Sequence, residues 1–341
     1  MSAQELPALR VERWTPISRV FTAGVGVLAV ALFFVPVLLG ANTTQKLTSL
    51  LILVLLAMMW NALAGYGGLV SVGQQAFIGI GAYATIYLVD RGVTPYLAMV
   101  LAALGSAVLA VPVSLVMLRL RAAQFAIGMW VVAESFALLV TLDQSLGGGT
   151  GTSLIELNRF SPHRRQEYTY WLTLGFATFL LVLLFVLLRS RLGASLQAIR
   201  DDEDAAASVG VRVMACKRIL FVIAAAGCGA AGAMTLANTV FVVPSSIFSV
   251  QWTAYMIFMV LVGGLGTFEG PIVGALVLFL IQNQFSDSGV WYLVGLGATA
   301  VAFALFLPQG VWGFCEQRFG LRLMPVGYRL RRRPSGDEGA S

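Results

Sequence analysis

Between Val20 and Leu307 the chain offers one apolar stretch of about 20 residues after another, with short interruptions, and that length is what an α-helix needs to cross a hydrocarbon core roughly 30 Å thick. With 58% hydrophobic and only 11% charged residues, against about 25% charged in soluble domains, most of this chain cannot face water. In lipid every backbone polar group has to be satisfied within the protein, so helix bundles and closed barrels are the available solutions. Barrel strands would be segments of about ten residues that alternate in polarity. Runs such as Leu47 to Leu56 or Leu172 to Leu188 do not alternate. The expected fold class is therefore an all-α polytopic membrane protein of about ten transmembrane helices.

The spans are expected at 20–40, 47–65, 68–89, 94–118, 122–141, 169–188, 218–243, 253–266, 271–284 and 290–308. This divides the chain into an N-terminal segment 1–19, a transmembrane domain 20–308 and a basic tail 309–341. The first apolar run is longer than a signal-peptide core and lacks a small-residue cleavage site, so it is expected to stay as an anchor. Placing the N-terminus inside leaves Lys46, Arg91, Arg159, Arg164 and Arg165 outside and the other 17 of the 22 Lys and Arg inside. That bias orients both termini to the cytoplasm, and it accounts for the net charge of +6 without nucleic acid as a partner. Cys216, Cys228 and Cys315 have neither metal-ligand spacing nor an evident pairing, and none falls on the outer, oxidising side, so three free thiols are expected. His163 is the only histidine, which leaves no materials for a metal cluster or a histidine-based triad.

Two loops are long. Residues 142–168, outside, carry the glycines Gly147 to Gly149 and Gly151 and the polar stretch Ser161 to Glu167. Residues 189–217, inside, read RSRLGASLQAIRDDEDAAASVGVRVMACK and predict a short amphipathic cytoplasmic helix beside an acidic cluster, Asp201 to Asp204. The tail from Arg329 reads as a disordered, lipid-attracted segment.

The stretch Gly65 to Tyr83, GYGGLVSVGQQAFIGIGAY, packs six glycines with Ser71, Gln74 and Gln75 at membrane depth. Broken backbone is tolerated there only where it is buried in protein or lines a watery cavity, so Ser71, Gln74, Gln75, Phe77 and Gly79 are candidates for a translocation path. Close helix packing is the competing reading of the same glycines. A second stretch, GGLGTFEGPIVGA from Gly263 to Ala275, spaces Gly266, Gly270 and Gly274 on one helical face, but Pro271 argues for an interruption. It is not a phosphate loop, because the only lysines are Lys46 and Lys217 and neither stands in such a motif. Any ATP hydrolysis therefore belongs to a partner, and no resident cofactor or metal is expected. Glu134 is the one carboxylate well inside an apolar span, roughly 20 Å along its helix from Arg121, which fits either a place on the path or solvation at the outer interface. Spans two to five and seven to ten each hold a glycine-rich break and start from opposite sides, which hints at an inverted repeat.

The cytoplasmic stretch carries the most specific signal. Importer permeases of the ABC class have a loop motif of Glu-Ala-Ala, three residues, then Gly, and Asp204-Ala205-Ala206-Ala207-Ser208-Val209-Gly210 matches that spacing with Asp for Glu. The string SLQAIRDDEDAAASVGV, with GLVSVGQQAFIGIGAY and LVGGLGTFEGPIVGA, resembles the branched-chain amino-acid permeases of the LivH/LivM family over most of residues 47–284. The extra N-terminal helix and the length look more like the LivM half. The resemblance implies a permease paired with a LivH-type permease in the bacterial inner membrane, two cytoplasmic ATP-binding subunits and a periplasmic solute-binding protein. It also implies an ATPase-coupling helix containing Arg200, Asp204, Ala205, Ala206 and Gly210. This sequence departs from many relatives in having Gln74 where they have His. The family includes carriers of urea, short amides and aromatic acids, and a self-sufficient secondary transporter is the alternative from another class.

Overall fold

The computed structural model describes residues 9–12, 16–285, 289–307, 309–319 and 329–332, and each of the ten expected spans falls on a helix. After strand β1 (Leu9–Glu12) come α1 (Pro16–Phe33), the single turn α2 (Val35–Leu38) and α3 (Ala41–Asn61). Beyond Lys46, α3 carries no charge and is apolar all round, so it sits in the centre of the bundle, with Leu55 to Met59 wholly buried. It runs on through a π-helical turn, Ala62–Tyr66, and the chain then leaves helical geometry until α4 (Gln75–Asp90). The span expected at 68–89 is thus a helix of 16 residues preceded by a non-helical entry.

Helices α5 (Pro95–Met117) and α6 (Ala122–Leu142) follow, α5 opening with Pro at its first position, where a missing N–H costs nothing. The same signal corrects the expected outer loop: Ser161-Pro162 starts α7 (Pro162–Arg189), so residues 162–168 are helical. What remains of the loop is fastened by buried Leu154 and Leu157 and by a short ladder of β2 (Thr152–Ser153) with β3 (Phe241–Val242). After α7 the chain forms α8 (Arg191–Asp201) and α9 (Glu203–Ser208), two helices where one is expected. The reason is Asp202, whose backbone is extended and whose carboxylate accepts from the N–H groups of Asp204 and Ala205 at 3.0 and 2.9 Å, opening a second helix.

Helix α10 (Val213–Thr239) is the second central element. It stops four residues short of the expected 243, because Val240 is left-handed, with φ of 64°, and the next two residues join β3. The turn α11 (Pro244–Ile247) leads to α12 (Gln251–Gly263), then α13 (Gly270–Phe285), α14 (Val290–Phe306) and α15 (Gly310–Phe319). Helices α4, α5 and α10 pack together through small residues: a Cβ on Gly232 would lie 1.9 Å from the carbonyl oxygen of Ile78, and one on Gly81 would lie 2.0 Å from that of Gly229. Helices α6 and α14 turn large apolar side chains outward, among them Ile127, Val131, Leu138, Trp291 and Phe306, as lipid or neighbouring membrane subunits require.

Strand β4 (Arg329–Arg332) pairs antiparallel with β1, which corrects the expectation of a structureless tail at those residues. Hydrogen-bonded strands lie on one side of a membrane, so the two ends of the described chain share a side.

Candidate functional site

Two interruptions of the helical bundle bring polar groups to its interior. From Gly68 the chain runs back into the bundle as non-helical backbone, and Ser71, Gln74 and Gln75 are wholly buried at its end. The Trp60 indole N–H donates to the Ser71 carbonyl at 2.9 Å, Gln74 Nε2 donates to Ser71 Oγ at 3.2 Å, and Gln75 Nε2 donates to the Val72 carbonyl at 3.1 Å. The bonds from Trp60 and Gln75 satisfy backbone carbonyls that would otherwise be orphaned in an apolar setting. The Cys228 thiol lies 3.7 Å from Gln74 Oε1. Cys228 is eleven residues along α10 from Lys217, which sets the depth at about 16 Å, near the middle of a 30 Å core.

The second interruption spans residues 240–250 and ends where α12 begins. Thr253, in the first turn of α12, donates its hydroxyl proton to Gln75 Oε1, the side chain of the first residue of α4. From this meeting α4 and α12 run in opposite directions, and their 16 and 13 residues at 1.5 Å each make about 24 and 20 Å. The inverted pairing hinted at in the sequence thus places its second break at 240–250. The glycine-rich stretch from Gly263 is the turn between α12 and α13, with Gly264 and Gly266 at positive φ.

Of the other residues expected on the path, Phe77 is buried in an aromatic cluster with Phe221 of α10, 5.6 Å away, and Gly79 lies against the ring of Phe248. Glu134 does not join them. It is exposed on the outer face of α6 and accepts from the Trp130 indole N–H at 3.2 Å.

Helices α8 and α9 are held to the bundle on one face. Leu196 and Ile199 of α8 are buried, and Lys217 of α10, itself buried, pairs with Glu203 at 2.6 Å. Asp204 faces Arg121 at 3.5 Å with both side chains largely exposed, a pair worth little to stability. Helix α9 closes on Gly210 at φ of 88°, with Gly210 N–H bonded to Ala207 at 3.0 Å and Val211 N–H to Ala206 at 3.1 Å. Ala206, expected to meet a partner, is 3% exposed and faces its own chain. Ala205, Ala207 and Ser208 face outward, and Val209 is 78% exposed, an isolated apolar side chain on a polar element. Sequence reasoning missed Val209 and Thr253. The apolar residue directly before the terminating Gly was the available signal for the first, and only the fold pairs the second with Gln75.

Comparison with known proteins agrees with this architecture. The family described as branched-chain amino acid transport system, permease component, matches residues 42–309. The high-affinity branched-chain amino acid transport system permease protein LivM of Escherichia coli is 28% identical over 334 residues, covering 90% of this chain and 77% of the relative. The protein of the same name from Salmonella typhimurium matches with the same identity and coverage. The chain belongs to the branched-chain amino acid transport permease family of ABC importers: it is a multi-pass transport protein rather than an enzyme, and it works with ATPase and other membrane subunits.

Proposed function

We propose that this permease forms half of the path by which branched-chain amino acids, or closely related small polar solutes, enter a bacterial cell through the inner membrane. The observation that carries the reading is the meeting of Gln75 and Thr253 at the starts of two short helices that run in opposite directions from mid-membrane. A discontinuous pair of this kind can exchange access between the two sides by rigid-body rocking, and uncharged amide and hydroxyl groups bind a small zwitterion weakly enough to release it. The partner across the path is a LivH-type permease, with a periplasmic solute-binding protein delivering the solute outside. The charge bias of the loops and the side-by-side ends of the chain support cytoplasmic termini.

ATP is bound and hydrolysed by two partner subunits, and α8 with α9 is the element on which one of them docks. Its outward residues Ala205 and Val209 form the contact, and Gly210 fixes its shape. Burying Val209 against a partner contributes about 2 kcal/mol, roughly thirtyfold in affinity, and an aspartate there adds the cost of burying a charge. Val at position 210, forced into left-handed backbone, costs at least about 1–2 kcal/mol. Val209→Asp and Gly210→Val are therefore expected to insert into membranes normally but to lose the ATPase subunits on purification. Full retention together with wild-type uptake in both variants would place the docking contact at residues 264–269 instead.

A further inference from the structure

Helix α3 ends at a point where four segments of the chain converge. After the π-helical turn the chain leaves helical geometry at Gly68, whose φ is 65°, so no helical N–H follows to serve the carbonyl of Gly65. That carbonyl is reached from 135 residues away: Arg200, on the last turn of α8, donates Nη1–H to it at 2.8 Å. A cation on the final carbonyls of a helix is favoured by both the hydrogen bond and the helix dipole. The same spot is shared by the turn between α12 and α13. Asn61 is wholly buried, and its amide forks across to that turn, donating to the Thr267 carbonyl at 2.8 Å and accepting from Gly266 N–H at 2.9 Å. Gly65 and Gly266 approach so closely that a Cβ on Gly65 would stand 2.6 Å from Gly266 N. Gly68 lies against the Arg200 backbone, where a Cβ would stand 3.4 Å from its Cα.

We propose that Arg200 is the positioning residue that transmits movement of the cytoplasmic element to both halves of the path. One route runs from Gly65 through the non-helical residues 68–73 to Gln75. The other runs through Asn61 and the 264–269 turn up α12 to Thr253. The two routes meet again at the Gln75–Thr253 hydrogen bond, so a shift of α8 applied at Gly65 changes the starts of α4 and α12 together. The guanidinium suits this task because its donors are held in a rigid fork: Nη1 holds Gly65 while Nη2 lies 3.3 Å from Asp201 in the same element. The inference rests on the reading of α8 and α9 as the ATPase-docking element. It adds that docking and transmission use different residues of that element, Val209 on its outer face and Arg200 on its inner face.

The test uses the complete importer in proteoliposomes with external binding protein, comparing Arg200→Ala and Arg200→Lys with the native chain. Two quantities are read: solute imported per ATP hydrolysed, and ATPase subunits retained on the permease. Arg200→Ala is expected to keep its ATPase subunits while solute per ATP falls about tenfold, and Arg200→Lys, which still reaches the carbonyl with a charged N–H, is expected to recover most of the loss. An unchanged ratio in Arg200→Ala overturns the proposal, as does a lysine variant no better than alanine, which would mark a packing defect. Loss of the ATPase subunits from Arg200→Ala overturns it too, since the residue would then belong to the docking contact. Should Arg200→Ala fail to fold into the membrane at all, Arg200→Gln is read by the same two quantities. Failure of the docking reading is seen separately, as ATPase retention by Val209→Asp and Gly210→Val.

Discussion

Gln75→Leu is expected to lower ATP-driven solute uptake on the order of a hundredfold while the permease still assembles with its partners. The substitution keeps apolar volume but removes both ends of a bridge: the Thr253 hydroxyl loses its acceptor on Gln75, and the Val72 carbonyl loses its donor. Each buried polar group left unmatched costs about 1–3 kcal/mol, and two of them at the meeting of α4 and α12 come to about 3 kcal/mol. That is enough to displace the starts of both short helices. It is small beside the packing of α3 and α10, whose wholly buried segments do not depend on this bridge. Gln74→Leu acts in the same direction, because Ser71 Oγ loses the amide that donates to it. The measurements are uptake and solute-stimulated ATP hydrolysis. If both survive unaltered, the glycine-rich segment serves packing alone.

The largest effect on the fold itself is expected at Gly232. A Cβ there would lie 1.9 Å from the Ile78 carbonyl oxygen and 2.7 Å from its carbon, and backbone in the middle of two packed helices cannot yield as a flexible side chain would. Gly232→Val therefore pushes α4 away from α10, costs more than the about 1–3 kcal/mol usual for overpacking, and removes most of the folded protein. Gly105 and Gly175 provide the contrast, since a Cβ on either meets nothing within 4 Å. Alanine at those positions is expected to stabilise its helix by about 0.5–1 kcal/mol. The fraction remaining monodisperse after heating in detergent separates the two outcomes. Equal behaviour of Gly232→Val and Gly105→Ala would remove close packing as the reason for the glycines of α10.

The spans were legible because lipid imposes a length and a composition that local sequence has to meet, and each expected span falls on a helix. The first break was legible for the same reason in reverse, since six glycines and two glutamines cannot make an ordinary lipid-facing helix. The second break was not. Its residues, Phe241 to Ile247, are mostly apolar, and the left-handed backbone of Val240 contradicts what a β-branched residue prefers, so tertiary pairing with Thr152 and Ser153 decides it. The acidic cluster after Arg200 was visible, but whether Asp202 caps a second helix depends on where the chain bends. The inward face of Ala206 and the outward face of Val209 follow from how α9 seats on its own chain, which no periodicity in six residues can reveal. The bond from Arg200 to Gly65 joins two helix ends 135 residues apart, and neither residue announces it.

The most direct test of the account is accumulation of labelled leucine by proteoliposomes containing this chain, its permease partner and the ATPase pair, with solute-binding protein outside and ATP supplied to the ATPase side. The account predicts accumulation that requires ATP and every subunit, none with the permease pair alone, and none when an ion gradient replaces ATP. Accumulation by the permease pair alone on a proton or sodium gradient would contradict it, and would make the chain a secondary transporter.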